Sequence, residues 1–163
     1  LRATVVRPTG LFNDMDEFLG MARSGRVWLV GDGSAELNPI HGADAAEAIV
    51  DALDASAPPS EVELGGPEVF SLRDIGTLAF EALGRTPRFS AVPLGLLRAA
   101  AAVTGPFNAN LAALFRGFHF VCAEGAVAPA QGRRRLRQHF AERVAEPAQA
   151  TPQPLEGDAA GRQ

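Results

Sequence analysis

Short strand-like runs alternate with helix-start signals through the first half of the sequence, and this alternation constrains the fold more than any other feature. The runs at 3–6, 26–30 and 61–64 are rich in strand-forming residues, and each leads into a turn that contains Gly. Strands that alternate with helices favour an α/β layer structure. A parallel sheet normally needs more strands than these few, and we therefore expect an incomplete sheet.

Three helix starts are indicated by an acid or hydroxyl that precedes an apolar face, at Asp14, Asp44 and Ser71. They place the first helical residues within about two positions of Met15, Ala45 and Leu72. Asp44 is the strongest of these caps by sequence, because its carboxylate can accept backbone N–H groups and faces the positive helix end.

The second half of the sequence is mostly helical. A short strand is expected at 89–92, followed by Ala/Leu-rich helices at 94–103 and 108–118, whose apolar residues recur at helical spacing. The arginines at 133–137 introduce a last amphipathic helix, and the run itself is typical of a solvated helix start rather than of a phosphate site.

The chain divides into one folded domain and a tail. From residue 146 onward Pro, Gln, Ala and Gly prevail and large apolar residues are few. Such a composition buries too little apolar surface to fold, so we expect the domain at 1–145 and a disordered tail at 146–163.

Two residue types are missing from the whole sequence. The composition contains no tyrosine, and all 15 of its Lys+Arg residues are arginines. Within this chain these absences exclude a tyrosine acid/base, a Schiff-base lysine and a P-loop lysine.

Charge and cysteine content exclude further classes of protein. The net charge of −4 gives the chain as a whole no positive field for nucleic acid or anionic lipid. The single cysteine, Cys122, rules out an internal disulfide and a Cys-rich metal site. No run of about 18 apolar residues indicates a membrane span. With Leu1 first and no signal peptide before the first strand, we expect a cytoplasmic fragment of a longer protein.

Four short motifs carry a resemblance to a known family. They are R-P-T-G at 7–10, G-D-G at 31–33, N-P-I-H at 38–41 and D-A-A at 44–46. In this order and spacing the sequence resembles the C-terminal half of an extended or atypical short-chain dehydrogenase/reductase, of the NAD(P)-dependent epimerase/dehydratase or NmrA-like branch. The resemblance implies an incomplete Rossmann-like fold with a mostly helical substrate-side region.

The resemblance also implies a nicotinamide cofactor, NAD or NADP, and a small-molecule substrate. In the family, a glycine-rich loop and a Tyr-x-x-x-Lys pair belong to the N-terminal half, which here would precede Leu1. Neither element is present in this sequence. We therefore expect a chain that is not catalytically competent alone and assign it no catalytic residue and no metal ligand.

The resemblance places the cofactor beside the turn that follows the first strand. By analogy with the family, it assigns Pro8, Thr9, Gly10 and Leu11 to cofactor binding. It assigns Phe12 and His41 to the substrate side. Two plainer interpretations stay open: a strand-to-helix turn fixed by Pro and Gly, and a hydrogen-bonded histidine at the end of a short strand.

Two groups of side chains contain metal-ligand residue types, but each is better explained without a metal. The acids of the segment 13–17 fit helix capping better than a cation site, because no further ligands follow at calcium-loop spacing. His119 and Cys122 supply two zinc-type ligands with no matching second pair, which favours structural burial.

Three functions compete. The first is the C-terminal part of an NAD(P)-dependent oxidoreductase or epimerase, and the second is a non-catalytic binding or protein-interaction module. A free-standing hydrolase comes last, since no G-x-S-x-G elbow is present. The coding sequence directly upstream of Leu1 distinguishes the first two.

Loss of an N-terminal half would expose a strand edge and an apolar face that includes Val5, Ile49 and Leu53, and would promote self-association.

Overall fold

The computed structural model describes residues 3–146 of the chain. Strands and helices alternate through the first half, and helices dominate the second half. The elements, in order, are β1 (Val5–Pro8), α1 (Phe12–Arg23), β2 (Val27–Val30), β3 (Glu36–Leu37), α2 (Gly42–Asp54), β4 (Glu61–Leu64), β5 (Phe70–Ser71), α3 (Leu72–Ala82), β6 (Phe89–Val92), α4 (Leu94–Thr104), α5 (Ala109–Glu124) and α6 (Leu136–Ala145).

The strands form three pairs. β1 lies parallel to β4, and β2 lies parallel to β6, whereas β3 pairs antiparallel with β5. The α/β fold with small parallel sheets is therefore confirmed. The strands at 61–64 and 89–92 have the predicted bounds, and the first strand lies two residues later than predicted.

Pro8 ends β1 without breaking its pairing. The Val5 N–H donates at 2.9 Å to the carbonyl of Ser60, the residue before β4, and the Thr9 N–H donates at 3.0 Å to the carbonyl of Leu64, the last residue of β4. Successive N–H groups of a strand alternate in direction, so position 8 faces the side of β1 that has no strand partner within residues 3–146. A proline is tolerated there because no ladder donor is lost.

Two helices begin three residues earlier than predicted, which corrects the assignment of their caps. α1 begins at Phe12, and Asp14 in its first turn accepts the Leu11 N–H at 3.0 Å. α2 begins at Gly42, and its cap is His41, whose Nδ1 accepts the Ala43 N–H at 3.1 Å. Asp44 is thus not the N-cap of α2, because the His41 imidazole accepts the capping hydrogen bond. Of these three helices, only α3 begins where predicted, with the Ser71 hydroxyl accepting the Asp74 N–H at 3.1 Å.

The main core lies between α1, α3 and α6 and the β2 strand. Its fully buried members include Phe12, Leu19, Ile75, Phe80 and Phe140. A smaller cluster of Ile40, Ala45 and Leu64 joins α2 to β1 and β4. The two clusters meet where Phe12 and Ile40 lie side by side, since the Phe12 N–H donates to Ile40 O at 3.1 Å.

Helices α4 and α5 form a hairpin that packs mainly against itself. Only Ala101 and Ala112 of the two helices are buried. α5 continues six residues beyond its predicted end and stops at Gly125, whose φ of 78° suits glycine. No helix within residues 3–146 is both long and apolar enough to cross a bilayer. The tail predicted at 146–163 lies, except for Glu146, outside the described residues.

Candidate functional site

The turn after β1 is held against the segment that precedes α2. The Thr9 hydroxyl donates to Asn38 O at 2.6 Å, and the Ile40 N–H donates to Gly10 O at 2.9 Å. Leu11 and Ile40 form a parallel bridge. The structure thus brings the R-P-T-G and N-P-I-H motifs into direct contact at the carboxyl end of β1, where ligands of open α/β sheets bind.

Most polar groups of the predicted cofactor residues are already used within the fold. Pro8 has no N–H, the Thr9 N–H and hydroxyl bind backbone carbonyls, and the Leu11 N–H binds Asp14. The Gly10 N–H donates to no atom of the described residues. Gly10 is half-buried, so its N–H is the donor that this turn has left for an external acceptor.

A buried asparagine fixes the segment beside the turn. The Asn38 side-chain amide donates to Gly66 O at 3.1 Å and to Ala128 O at 2.8 Å. Its carbonyl Oδ1 accepts the Ala128 N–H at 3.0 Å. Asn38 therefore ties β3, the end of β4 and the chain after α5 into one unit. The sequence analysis did not identify this role, because its partners lie 28 and 90 residues away.

The two predicted substrate-side residues do meet. The rings of Phe12 and His41 lie edge to face, with centroids 5.6 Å apart. Phe12 is fully buried, so it supports the imidazole rather than facing solvent. His41 is half-buried and accepts at Nδ1, so its neutral ring carries the proton at Nε2. His41 thus has a hydrogen-bond donor available for a ligand.

A second histidine from α6, missed by the sequence analysis, adjoins this pair. His139 is buried, its ring centroid lies 6.1 Å from that of His41, and its Nε2 lies 2.9 Å from Asp16 Oδ1. Asp16 also binds the Arg143 guanidinium at 2.7 Å, and hydrogen bonding to Asp16 raises the pKa of Arg143 above its usual value. Two histidines 98 positions apart carry no local signal in the sequence.

A cleft of about 250 Å³ opens beside the two histidines. It lies between the start of α2 and the first turns of α6. Its lining side chains are all polar, and they include positively and negatively charged groups: His41, Arg134, Arg135, Gln138, His139 and Glu142. The cleft is small and polar, and such a site suits a small polar group.

One wall of the cleft is fixed by Asp44. Its carboxylate accepts the N–H groups of Arg133 (2.8 Å) and Arg134 (2.9 Å) and also pairs with the Arg134 guanidinium. Burial acts to raise the pKa of Asp44, but these hydrogen bonds together hold it below its ordinary value of 3.8. The arginine run is therefore more than a solvated helix start, because Arg134 and Arg135 bind Asp44 and Glu68.

The described residues contain no group of three His, Cys, Asp or Glu side chains placed to hold a metal ion. His119 and Cys122 are half-buried on α5, and Cys122 packs against the main core. Burial raises the pKa of the Cys122 thiol. In the segment 13–17, the Asp14 carboxylate accepts the Leu11 N–H, and the Asp16 carboxylate binds His139 and Arg143.

Comparison with known proteins gives partial matches. No protein-family model matches the sequence. A curated relative is the NADH dehydrogenase [ubiquinone] 1 alpha subcomplex subunit 9, mitochondrial, of Arabidopsis thaliana, which is 31% identical over 107 residues. The match covers 61% of this chain and 27% of that protein. The chain therefore spans about a quarter of the length of this relative.

Solved structures match a larger share of the chain. Leucoanthocyanidin reductase from Vitis vinifera, in complex with NADPH, matches 74% of this chain and 45% of its own, with a TM-score of 0.62 and 16% identity. A nucleoside-diphosphate-sugar epimerase from Staphylococcus aureus matches 85% of this chain and 47% of its own, with a TM-score of 0.52 and 15% identity. The chain therefore shares its fold with part of the leucoanthocyanidin reductase and with part of the nucleoside-diphosphate-sugar epimerase.

Proposed function

We propose that this chain is the substrate-side part of an NAD(P)-dependent oxidoreductase or epimerase and does not catalyse turnover alone. It would contribute the turn at 8–11 to the nicotinamide end of the cofactor, and His41, supported by the buried ring of Phe12, to the substrate side. The observation that carries the proposal is the Gly10 N–H at the carboxyl end of β1, which donates to no atom of residues 3–146. A nicotinamide carboxamide oxygen is an acceptor of matching chemistry.

Redox and proton-transfer roles are divided between the cofactor and groups that this chain lacks. The cofactor, when bound, supplies the hydride acceptor or donor. The chain has neither tyrosine nor lysine, so it cannot supply the family's acid/base pair. The chain's own residues would orient the reactants: the Gly10 N–H would bind the carboxamide of the nicotinamide, and the His41 Nε2–H would donate to a substrate oxygen in the cleft.

The proposal is tested on the isolated chain with the part of the cofactor that it would contact. Nicotinamide mononucleotide should shift the Gly10 amide resonance in a two-dimensional NMR titration, while AMP, the other half of NAD, should not. The amide of Gly20, on the exposed side of α1, is the internal control. Equal shifts with both nucleotides, or none at Gly10, would overturn the cofactor assignment.

A second measurement tests the division of labour. The purified chain should not change the absorbance of NADH or NADPH with any substrate, and turnover above a blank would contradict the proposal. With an added Rossmann half that carries the glycine-rich loop and the Tyr-x-x-x-Lys pair, His41→Asn should weaken substrate binding while keeping the helix cap. Asparagine caps helices well, whereas His41→Ala loses both functions.

The second candidate is a non-catalytic interaction module. It is favoured by the likeness to a protein that is itself named as a subunit of an alpha subcomplex. The unpaired side of β1 and the exposed Val5 and Leu53 are surfaces that another protein segment would cover. Failure of nicotinamide mononucleotide to bind, together with capture of a partner chain by this surface, would favour the module.

A further inference from the structure

The α4–α5 hairpin is apolar on surfaces that the rest of the described chain does not cover. The tip residue Phe107 is 89% exposed, and Val103, near the end of α4, is 69% exposed. On α5, Leu111, Leu114 and Phe118 follow Phe107 at spacings of four, three and four residues. This is the spacing of one helical face. The structure leaves that face without a partner within residues 3–146.

The charge of this region is opposite to that of the chain as a whole. Between Glu81 and Glu124 there is no acidic residue, but there are four arginines, Arg85, Arg88, Arg98 and Arg116. The two arginines on the hairpin, Arg98 and Arg116, are exposed and lie within 4.0 Å of no carboxylate of residues 3–146. The net charge of −4 therefore conceals a cationic, apolar projection.

We propose that the α4–α5 hairpin docks the protein on the surface of an anionic lipid bilayer. Exposed Phe and Leu side chains would enter the boundary between headgroups and acyl chains, and Arg98 and Arg116 would bind lipid phosphates. With 11 and 16 residues, the helices are shorter than the roughly 20 residues of a spanning helix, so they lie in the interface. The proposal is independent of the proposed function.

The charge of the hairpin favours a bilayer over a second copy of the chain. A two-fold symmetric contact between hairpins would bring two cationic segments together, and residues 82–123 of neither copy offer an acidic partner for the arginines. An anionic membrane surface neutralises them and at the same time accepts the apolar side chains. The hairpin differs in this respect from the uncovered face near Val5 and Leu53, where Arg7 of β1 is paired with Glu61 of β4.

Flotation of the full chain with lipid vesicles tests the proposal. Binding is expected to phosphatidylcholine vesicles with about 30 mol% phosphatidylserine and not to pure phosphatidylcholine, and it should weaken as salt screens the attraction. Arg98→Gln and Arg116→Gln should each weaken partitioning about fivefold. Arg137→Gln, an exposed arginine of α6 paired with Glu81, is the matched control and should bind like the parent.

The apolar part of the contact is tested by paired leucines. Leu114→Ser on the hairpin should lose most of the binding, whereas Leu53→Ser on α2, with a nearly equal exposed fraction of 55% against 58%, should not. Because both side chains are exposed, circular dichroism should be unchanged in both variants.

Fluorescence reports insertion directly. In a Trp28→Phe background, Phe107→Trp makes the tip the only tryptophan of the chain, and its emission should shift to the blue with the anionic vesicles. An unshifted emission, equal binding to both vesicle types, or a salt-insensitive dimer that Leu114→Ser converts to monomer would overturn the proposal. The last result would assign the hairpin to self-association instead.

Discussion

The carboxylate of Asp44, in the first turn of α2, binds the backbone N–H of Arg134, 90 residues later, at 2.9 Å. It also binds the N–H of Arg133 and the Arg134 guanidinium, and the Asp44 side chain is fully buried. Since the chain between 132 and 136 has little regular structure, this carboxylate is what places the start of α6 and one wall of the cleft. Asp44 therefore positions the chain before α6, which lines the cleft, and its role is structural.

Replacing Asp44 by Ala should lower the free energy of unfolding by about 2–4 kcal/mol, because two part-buried N–H groups and a guanidinium lose their acceptor. Asp51→Ala, on the exposed side of the same helix, should cost about 0.5 kcal/mol or less. Urea denaturation followed by circular dichroism measures both. Superimposable curves for the two variants would contradict the role of Asp44.

Asp44 should also make stability depend on pH in the acid range. Its pKa is lower in the folded chain than its ordinary value of 3.8, so its contribution is fully present above about pH 4 and is lost as the pH falls through the folded pKa. Asp44→Asn cannot ionise and should lack this part of the acid dependence. Thermal melts of both proteins from neutral pH down to about pH 2 check it. A constant difference in Tm across that range would be evidence against the shift.

Gly66 should tolerate no side chain. A Cβ at this position would overlap the Pro39 carbonyl oxygen, and the Gly66 N–H already donates to Asn38 O at 2.7 Å. Gly66→Ala should therefore destabilise the chain by about 2 kcal/mol or more. Gly20→Ala, where a Cβ meets nothing within 4 Å, should instead stabilise α1 by about 0.5–1 kcal/mol. Opposite signs in urea midpoints are the expected result.

The unpaired side of β1 should be visible in hydrogen exchange. The Val6 N–H faces that side, whereas the Thr9 N–H binds Leu64 O. We expect Val6 to exchange much faster than Thr9 in the isolated chain, and to slow when an N-terminal Rossmann half is added. Slow exchange at Val6 in the monomeric chain alone would show that this edge is already covered.

The sequence by itself determined the order and type of the six helices and of the four-residue strands, but not the two-residue strands β3 and β5. Local signals were sufficient where a strand is bounded by turn residues, as at Glu61–Leu64, or where a hydroxyl cap begins a helix, as at Ser71. Such features depend on neighbours within a few residues, which sequence patterns record. The motifs at 7–10 and 38–41 were associated by the family resemblance, and the structure places them in contact.

Only the tertiary structure decided how distant side chains are used. His41 caps α2, whereas Asp44, the better cap by sequence, accepts the N–H groups of Arg133 and Arg134 instead. His139 joins the site from α6, and the apolar face of α5 stays exposed because no element of the described chain packs on it. A local pattern fixes which side chains share a face, but the energy of each placement comes from partners far along the chain, which that pattern does not contain.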